Sequence, residues 1–331
     1  MKKTLLALTV PALLVAGSAS AGISLYDQDG TQVTMSGAAE VQYRLTAVEN
    51  MANDDAQLRI DDGDLALRIQ HQVSADLYAV GAMELNVGET DEMEFDASGD
   101  KVVRNRNGLG SVTNDVLFVG LGGNFGEMTF GRQTAIIDDA GVGVDIELKD
   151  TAGVSYDDVS MDQYIKYRFS GEKFWAGAGY NIAQSDSTTG KKGEELLEIA
   201  AGVPFGDFEV RGYYGDFEHE AANKEQKAWD LEFVYAAGPI YVGALYGQSD
   251  RGDNADVKTW ELAGSYTLGK NTFGLGYAQN SGDAKADDAT NFYANVAHQL
   301  TANTRAYVEL GYEDLETDND FGYVVGMEVK F

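Results

Sequence analysis

Carboxylates dominate the groups in this chain that could do chemistry. It carries 54 Asp and Glu against 24 Lys and Arg, with three His and no Cys. Asp54-Asp55, Asp61-Asp62-Gly63-Asp64 and the run from Asp314 to Asp320 offer hard oxygen ligands of the kind calcium and magnesium take. None has the spacing of a calcium-binding loop, so solvated loop charge is the simpler reading. No resident cofactor is expected; calcium or magnesium on these acidic runs is the one exception that the residue types allow. His71, His219 and His298 stand in no motif that sets a nucleophile beside a base. There is no His-Glu-x-x-His, phosphate loop or dinucleotide fingerprint. The lack of cysteine excludes thiol catalysis and a disulfide scaffold. A net charge of -30 leaves no basic stripe for nucleic acid and builds a negative potential that concentrates cations.

The elements that must position these carboxylates read as strands. In the last eleven residues Phe321, Tyr323, Val325, Met327, Val329 and Phe331 alternate with Gly322, Val324, Gly326, Glu328 and Lys330. A period of two makes a strand with one apolar face. The pattern recurs from Val33 to Leu45, Leu65 to Ile69, Phe174 to Ile182, Trp229 to Tyr235, Trp260 to Leu268 and Ala306 to Tyr312. About 16 such segments have the length a tilted strand needs to cross a bilayer. Short connections such as 122–124, 205–207, 238–239 and 269–271 alternate with long acidic ones such as 89–110, 185–195 and 250–256. Short turns on one rim and long polar loops on the other describe a membrane barrel, because lipid leaves no open sheet edge unsatisfied. Lys2, Lys3, the apolar stretch 5–15 and Ala19-Ser20-Ala21 form a secretion signal. Residues 1–21 are therefore expected to be cleaved, leaving 22–331 as one barrel domain.

Particular residues then resemble a family. The segment from Gly22 to Gly30 with the strand after it, the hairpin from Phe118 to Gln133, the strand Asp162 to Tyr167 and the terminal Phe331 are similar to those of the Gram-negative general porins. The likeness runs through essentially all of 22–331. It implies an all-β fold: a 16-stranded antiparallel transmembrane β-barrel with an inward-folded third loop. It implies a homotrimer in the outer membrane that passes small hydrophilic solutes and ions, lies among lipid and lipopolysaccharide, and is inserted by the barrel-assembly machinery. Tyr323 and Phe331 would belong to the assembly signal.

The resemblance also implies a role for the segment 134–158. Its acids Asp138, Asp139, Asp145 and Glu147 would face bases on the wall and constrict the pore. The family's Pro-Glu-Phe-Gly-Gly stretch is absent, with Ile146-Glu147-Leu148-Lys149 in its place. Where family members commonly carry bases, this chain has Ala38, Asp64, Asp115 and Ser160. Arg44, Arg59, Arg68, Lys166, Arg168, Arg211 and Arg305 remain as candidate inward bases, so Arg44, Asp64, Arg68, Asp115, Lys166, Arg211 and Arg305 are expected to line the wall. A weakened basic ladder opposite an acidic loop predicts a preference for cations. Arg132 would either meet Glu89, Asp91, Glu92 or Glu94 of a neighbouring protomer or snorkel to the rim. A barrel enzyme and a sugar-specific barrel are the competing readings. Catalytic residues gathered at one rim would mark the first, and inward aromatics such as Trp175 and Tyr307 the second.

Overall fold

The computed structural model describes residues 22–45, 56–87, 93–95, 101–103, 112–148, 154, 159–183, 193–219, 224–250, 256–282, 288–315 and 318–331. The expected signal at 1–21, the run Asp54-Asp55 and the acids Glu89, Asp91 and Glu92 lie outside these residues, and nothing is described of the side chain of Glu94.

In chain order the strands are β1 (Ile23–Gln28), β2 (Thr31–Leu45), β3 (Gln57–Ile60), β4 (Asp64–Ser74), β5 (Leu77–Val87), β6 (Met93–Phe95), β7 (Lys101–Val103), β8 (Val112–Gly123), β9 (Gly126–Thr134) and β10 (Ser160–Ser170). They continue with β11 (Trp175–Asn181), β12 (Glu194–Phe205), β13 (Phe208–His219), β14 (Lys224–Ala237), β15 (Ile240–Asp250), β16 (Asp256–Leu268), β17 (Asn271–Gly282), β18 (Ala289–Thr301), β19 (Thr304–Leu315) and β20 (Asp318–Lys330). A 3₁₀ turn, Ile136–Asp139, follows β9. β6 and β7 form a separate hairpin.

The other strands make one antiparallel sheet that closes on itself. β3 and β4 share one flank of β2, and β1 and β20 share the other. Glu40 bridges the break between β3 and β4 through backbone bonds to Asp61 and Asp62. These two composite lines give a barrel of 16 staves. Closure runs from Leu45 opposite Tyr323 to Ala38 opposite Lys330, and Gly37 and Phe331 exchange both backbone bonds, at 2.9 and 3.0 Å. No edge is left unpaired along this seam, which a bilayer requires.

The alternation seen in the sequence separates two faces. In β12, Leu197 and Ile199 are 53% and 57% exposed, whereas Leu196 and Glu198 are buried. Leu231 and Phe233, Leu262, Leu275, Val308 and Leu310 continue the exposed apolar band, which is the lipid face. Aromatics gather at both ends of it. Trp229, Tyr246 and Trp260 meet in edge and tilted contacts at one end, and Phe205, Phe208, Phe233 and Tyr235 surround the short turn at 206–207 at the other. Such girdles sit at membrane interfaces.

One connection differs from the sequence reading. The acidic run from Asp314 to Asp320, read as solvated loop charge, belongs largely to strands: β19 and β20 pair as far as Leu315 opposite Asp318. Alternating polarity fades at this end of the hairpin, so the strands outlast the hydrophobic signal that marks them.

Candidate functional site: a loop held against the inner wall

The segment 135–148 leaves β9 and runs along the face opposite the lipid band. Wall groups from several strands reach its backbone. Glu198 on β12 accepts the Ile136 and Ile137 amides at 2.8 and 2.9 Å. Glu232 on β14 accepts the Gly141 amide. Glu309 on β19 accepts the Ile146, Glu147 and Leu148 amides at 2.7, 2.8 and 2.6 Å. Tyr213 and Tyr241 donate to the carbonyls of Asp139 and Val142, and Asn295 and Asn291, on β18, donate to those of Val144 and Leu148. A loop buried in a barrel carries peptide groups that must be satisfied, and these polar side chains satisfy them.

The buried apolar clusters among the described residues also lie between loop and wall. Ala135, Ile136, Ile137, Val142 and Val154 pack with Tyr164, Leu196, Tyr213, Tyr241 and Leu245. Leu148 packs with Tyr307 and Val324. Glycine on the wall makes the approach possible: a Cβ at Gly243 would stand 2.5 Å from Val142, and one at Gly311 2.7 Å from Leu148.

The acids named from the sequence divide into paired and unpaired. Asp139 makes an ion pair with Arg168. Glu147 binds Arg44 and Arg59, the latter at 2.6 Å. Asp138 and Asp145 make no hydrogen bond or ion pair to any described residue. Solvent reaches the Asp138 carboxyl, but the surrounding wall raises its pKa above the ordinary 3.8 by desolvation, which Lys166 partly offsets.

The wall bases are all engaged. Arg211 holds Glu232 at 2.6 Å and reaches the Gly141 carbonyl. Arg305 meets Glu328 and lies 4.0 Å from Glu40. Arg68 holds Glu127 at 2.6 Å, with Tyr78 on the same carboxylate. Lys166 faces Asp138 and Glu198. Of the two wall acids named, Asp64 accepts the Ala38 amide and Asp115 the Thr113 hydroxyl. Both lie near Glu84, as does Asp62, forming an acidic stretch across β4, β5 and β8. Glu40, Asp62 and Glu328 bring carboxylate oxygens within 4.8 Å of one another, and Arg305 and Lys330 already engage Glu328 in that group.

Arg132 lies on the outer phase and is satisfied within its own chain, by Asp162 and the Asn114 carbonyl. Trp175 donates to Glu209, and the buried Tyr307 donates to Glu40, so both aromatics are tied into the wall. Tyr323 lies 6.3 Å from the Tyr43 ring across the seam that Phe331 completes.

Sequence reading missed Glu198, Glu232 and Glu309. Their signal was an acid flanked by lipid-facing residues: Leu197-Glu198-Ile199, Leu231-Glu232-Phe233 and Val308-Glu309-Leu310. An inward carboxylate on a membrane strand is costly unless donors meet it.

A closed barrel with an apolar outer band and a polar interior crossed by a loop defines a transmembrane β-barrel of the pore-forming class. The description Gram-negative porin matches residues 7–319, and the chain belongs to this family. It is an outer-membrane, multi-pass β-barrel porin and not an enzyme. The porin-like protein H of Photobacterium profundum is 40% identical over 100% of both chains. Outer membrane protein U of Vibrio parahaemolyticus is 26% identical over 98% of this chain and 94% of its own. The in-vitro folded, trimeric OmpT of Vibrio cholerae shares the fold with a TM-score of 0.70 at 19% identity, over 92% of this chain and 100% of that one.

Proposed function

We propose that the barrel is a water-filled path for passive diffusion of small hydrophilic solutes and ions, and that it prefers cations. One observation carries the preference: every described arginine has a carboxylate partner, whereas Asp138 and Asp145 on the loop make no ion pair with a described residue. The arginines that would draw anions are neutralised, and free carboxylates remain to draw cations. Asp138, Asp139, Asp145 and Glu147 form the constriction, facing Arg44, Arg168 and Lys166. The acidic stretch around Asp64, Glu84 and Asp115 adds to the same sign of potential.

The functional unit is a homotrimer among outer-membrane lipid and lipopolysaccharide, a reading supported by the trimeric form of the Vibrio cholerae OmpT. Arg132 lies at its rim. Export removes residues 1–21, and Tyr323 and Phe331 guide the barrel-assembly machinery. The test is planar-bilayer recording of the folded protein in a potassium chloride gradient. Steps closing in threes with a cation-selective reversal potential are expected. An anion-selective potential would overturn the preference, and silence from correctly folded protein would overturn the channel.

A further inference from the structure

We propose that Trp175 and Glu209 form a subsite for a neutral pyranose on the pore wall, between the internal loop and the rim that carries the short turns. It rests on the water-filled path proposed above and not on the preference for cations. Of the three tryptophans, Trp229 and Trp260 lie on the lipid face, where both meet Tyr246. Trp175 begins β11 in the phase of Gly177 and Gly179. That phase points inward, because Ile136 of the loop packs over Gly177. Trp175 is half-buried, so part of its indole meets the lumen. Three neighbours set its position. It stands opposite Gly202 on β12, where a Cβ would collide with the indole, so the ring lies against bare backbone. Tyr213 closes the side toward the loop, its ring 6.0 Å away and tilted by 52°, with its hydroxyl on the Asp139 carbonyl. The indole Nε1 donates to Glu209 Oε1 at 2.7 Å. Tyr307, the other inward aromatic named from the sequence, is 2% exposed and packed with Leu148, and offers no face.

The polar groups at the edge of this plate suit hydroxyls. Glu209 is 7% exposed, and its Oε2 has no hydrogen-bond partner among the described residues. Oε1 is tied to the indole, so Oε2 lies beside the indole edge. A buried carboxylate oxygen without a donor is costly, and a hydroxyl seated on the indole would supply the donor. Ser170, exposed on β10, stands directly across from Trp175, and the exposed Arg168 carries further donors on the same face. A pyranose has the matching form, with one face of C–H bonds and hydroxyls around its rim. Its C–H hydrogens are slightly positive and meet the negative face of an aromatic ring. Its hydroxyls both donate, to Glu209, and accept, from Arg168. An acyclic polyol carries the same hydroxyls but has no flat face to lay on the indole.

The experiment titrates the W229F/W260F protein, whose tryptophan fluorescence comes from Trp175 alone, with glucose and with the acyclic polyol sorbitol, after heat-modifiability has shown a folded barrel. Glucose is expected to shift the emission saturably, with half-saturation in the millimolar range, and sorbitol to leave it unchanged. E209Q in the same background is expected to raise the half-saturating glucose concentration about tenfold, the size of a lost hydrogen bond to a charged acceptor. A glucose response that is linear, or that sorbitol reproduces, overturns the proposal, as does an E209Q titration that overlays its parent. If the W229F/W260F barrel does not fold, bilayer current decides. Glucose should then lower the wild-type current more than sorbitol does at matched concentration and viscosity, and W175A should remove that excess. No excess in wild type, or an excess that persists in W175A, overturns the proposal. Silence in the bilayer beside a saturable emission shift would sink the diffusion reading and leave the subsite standing; conduction without the shift would do the reverse.

Discussion

The two limbs of the internal loop are fastened by different physics. The first, 135–144, buries Ala135, Ile136, Ile137 and Val142 against Tyr164, Leu196, Tyr213, Tyr241 and Leu245. Its amides also meet Glu198 and Glu232. The second, 145–148, buries only Leu148 fully, and its three amides share Glu309. Burying a side chain such as Ile136 contributes roughly 1.5–3 kcal/mol. A hydrogen bond to a charged group contributes about the same. The first limb therefore has several contributions of similar size and tolerates losing one. The second gathers its three amides on a single carboxylate, with Asn291 on the Leu148 carbonyl and Leu148 as its one buried side chain. Apolar burial dominates where the loop starts, and polar contacts dominate at its far acid.

That contrast orders the expected effects on ion selectivity. E147Q, on the second limb, is the largest. It removes the carboxylate charge that meets Arg44 and Arg59; a unit charge at about 4 Å is worth about 1 kcal/mol in water, so the potassium-to-chloride ratio should fall about fivefold. A ratio within experimental error of wild type would break the comparison at its strongest point. R168Q, facing the first limb, should act in the opposite sense by freeing Asp139, raising the ratio about twofold while the limb stays in place. E198Q should move the ratio least of these, because the apolar cluster still seats Ile136 and Ile137 when one carboxylate charge is lost. If E198Q moved the ratio as far as E147Q, the limbs would be fastened alike and the distinction would fail.

The fold was legible because lipid imposes it. Alternation in β12, β14 and β19 follows from one face meeting acyl chains, and any chain that crosses a bilayer as strands must display it. Local pattern could not reveal the break at Asp61–Gly63, where three neighbouring acids serve different partners: Asp61 takes Arg59, Asp62 lies by Glu328, and Asp64 takes the Ala38 amide. Site residues were half legible. Asp139 and Glu147 stood out as loop acids, and Arg44 and Arg168 as inward bases, but which acid meets which base depends on register between distant strands. Glu309 lies more than 160 residues from the amides it holds, and its own triplet Val308-Glu309-Leu310 says only that an inward carboxylate must find donors. Arg132 shows the converse: its outward phase was readable, whereas its partner Asp162 came from a register shift in the β9–β10 pair.

Acidification offers the finest separation of the limbs, through the two free loop acids. Asp138 belongs to the first limb and its carboxyl is held above 3.8 by desolvation, with Lys166 pulling it back. Its charge is therefore lost at a higher pH than that of an unperturbed aspartate. As pH falls toward 4, the wild-type cation preference should decline before ordinary loop carboxylates titrate, and D138N should lack that early component. The stability consequence has a definite sign. With the folded pKa raised, the stabilising contribution of Asp138 is complete below 3.8 and is lost as pH rises through the folded value. At neutral pH its ionised form costs the loop stability, so D138N should be at least as heat-resistant as wild type there and should lose that advantage below pH 3.8. A D138N barrel that melts earlier than wild type at neutral pH would show that Asp138 is stabilised as an anion, and that Lys166 outweighs the desolvation assigned to it.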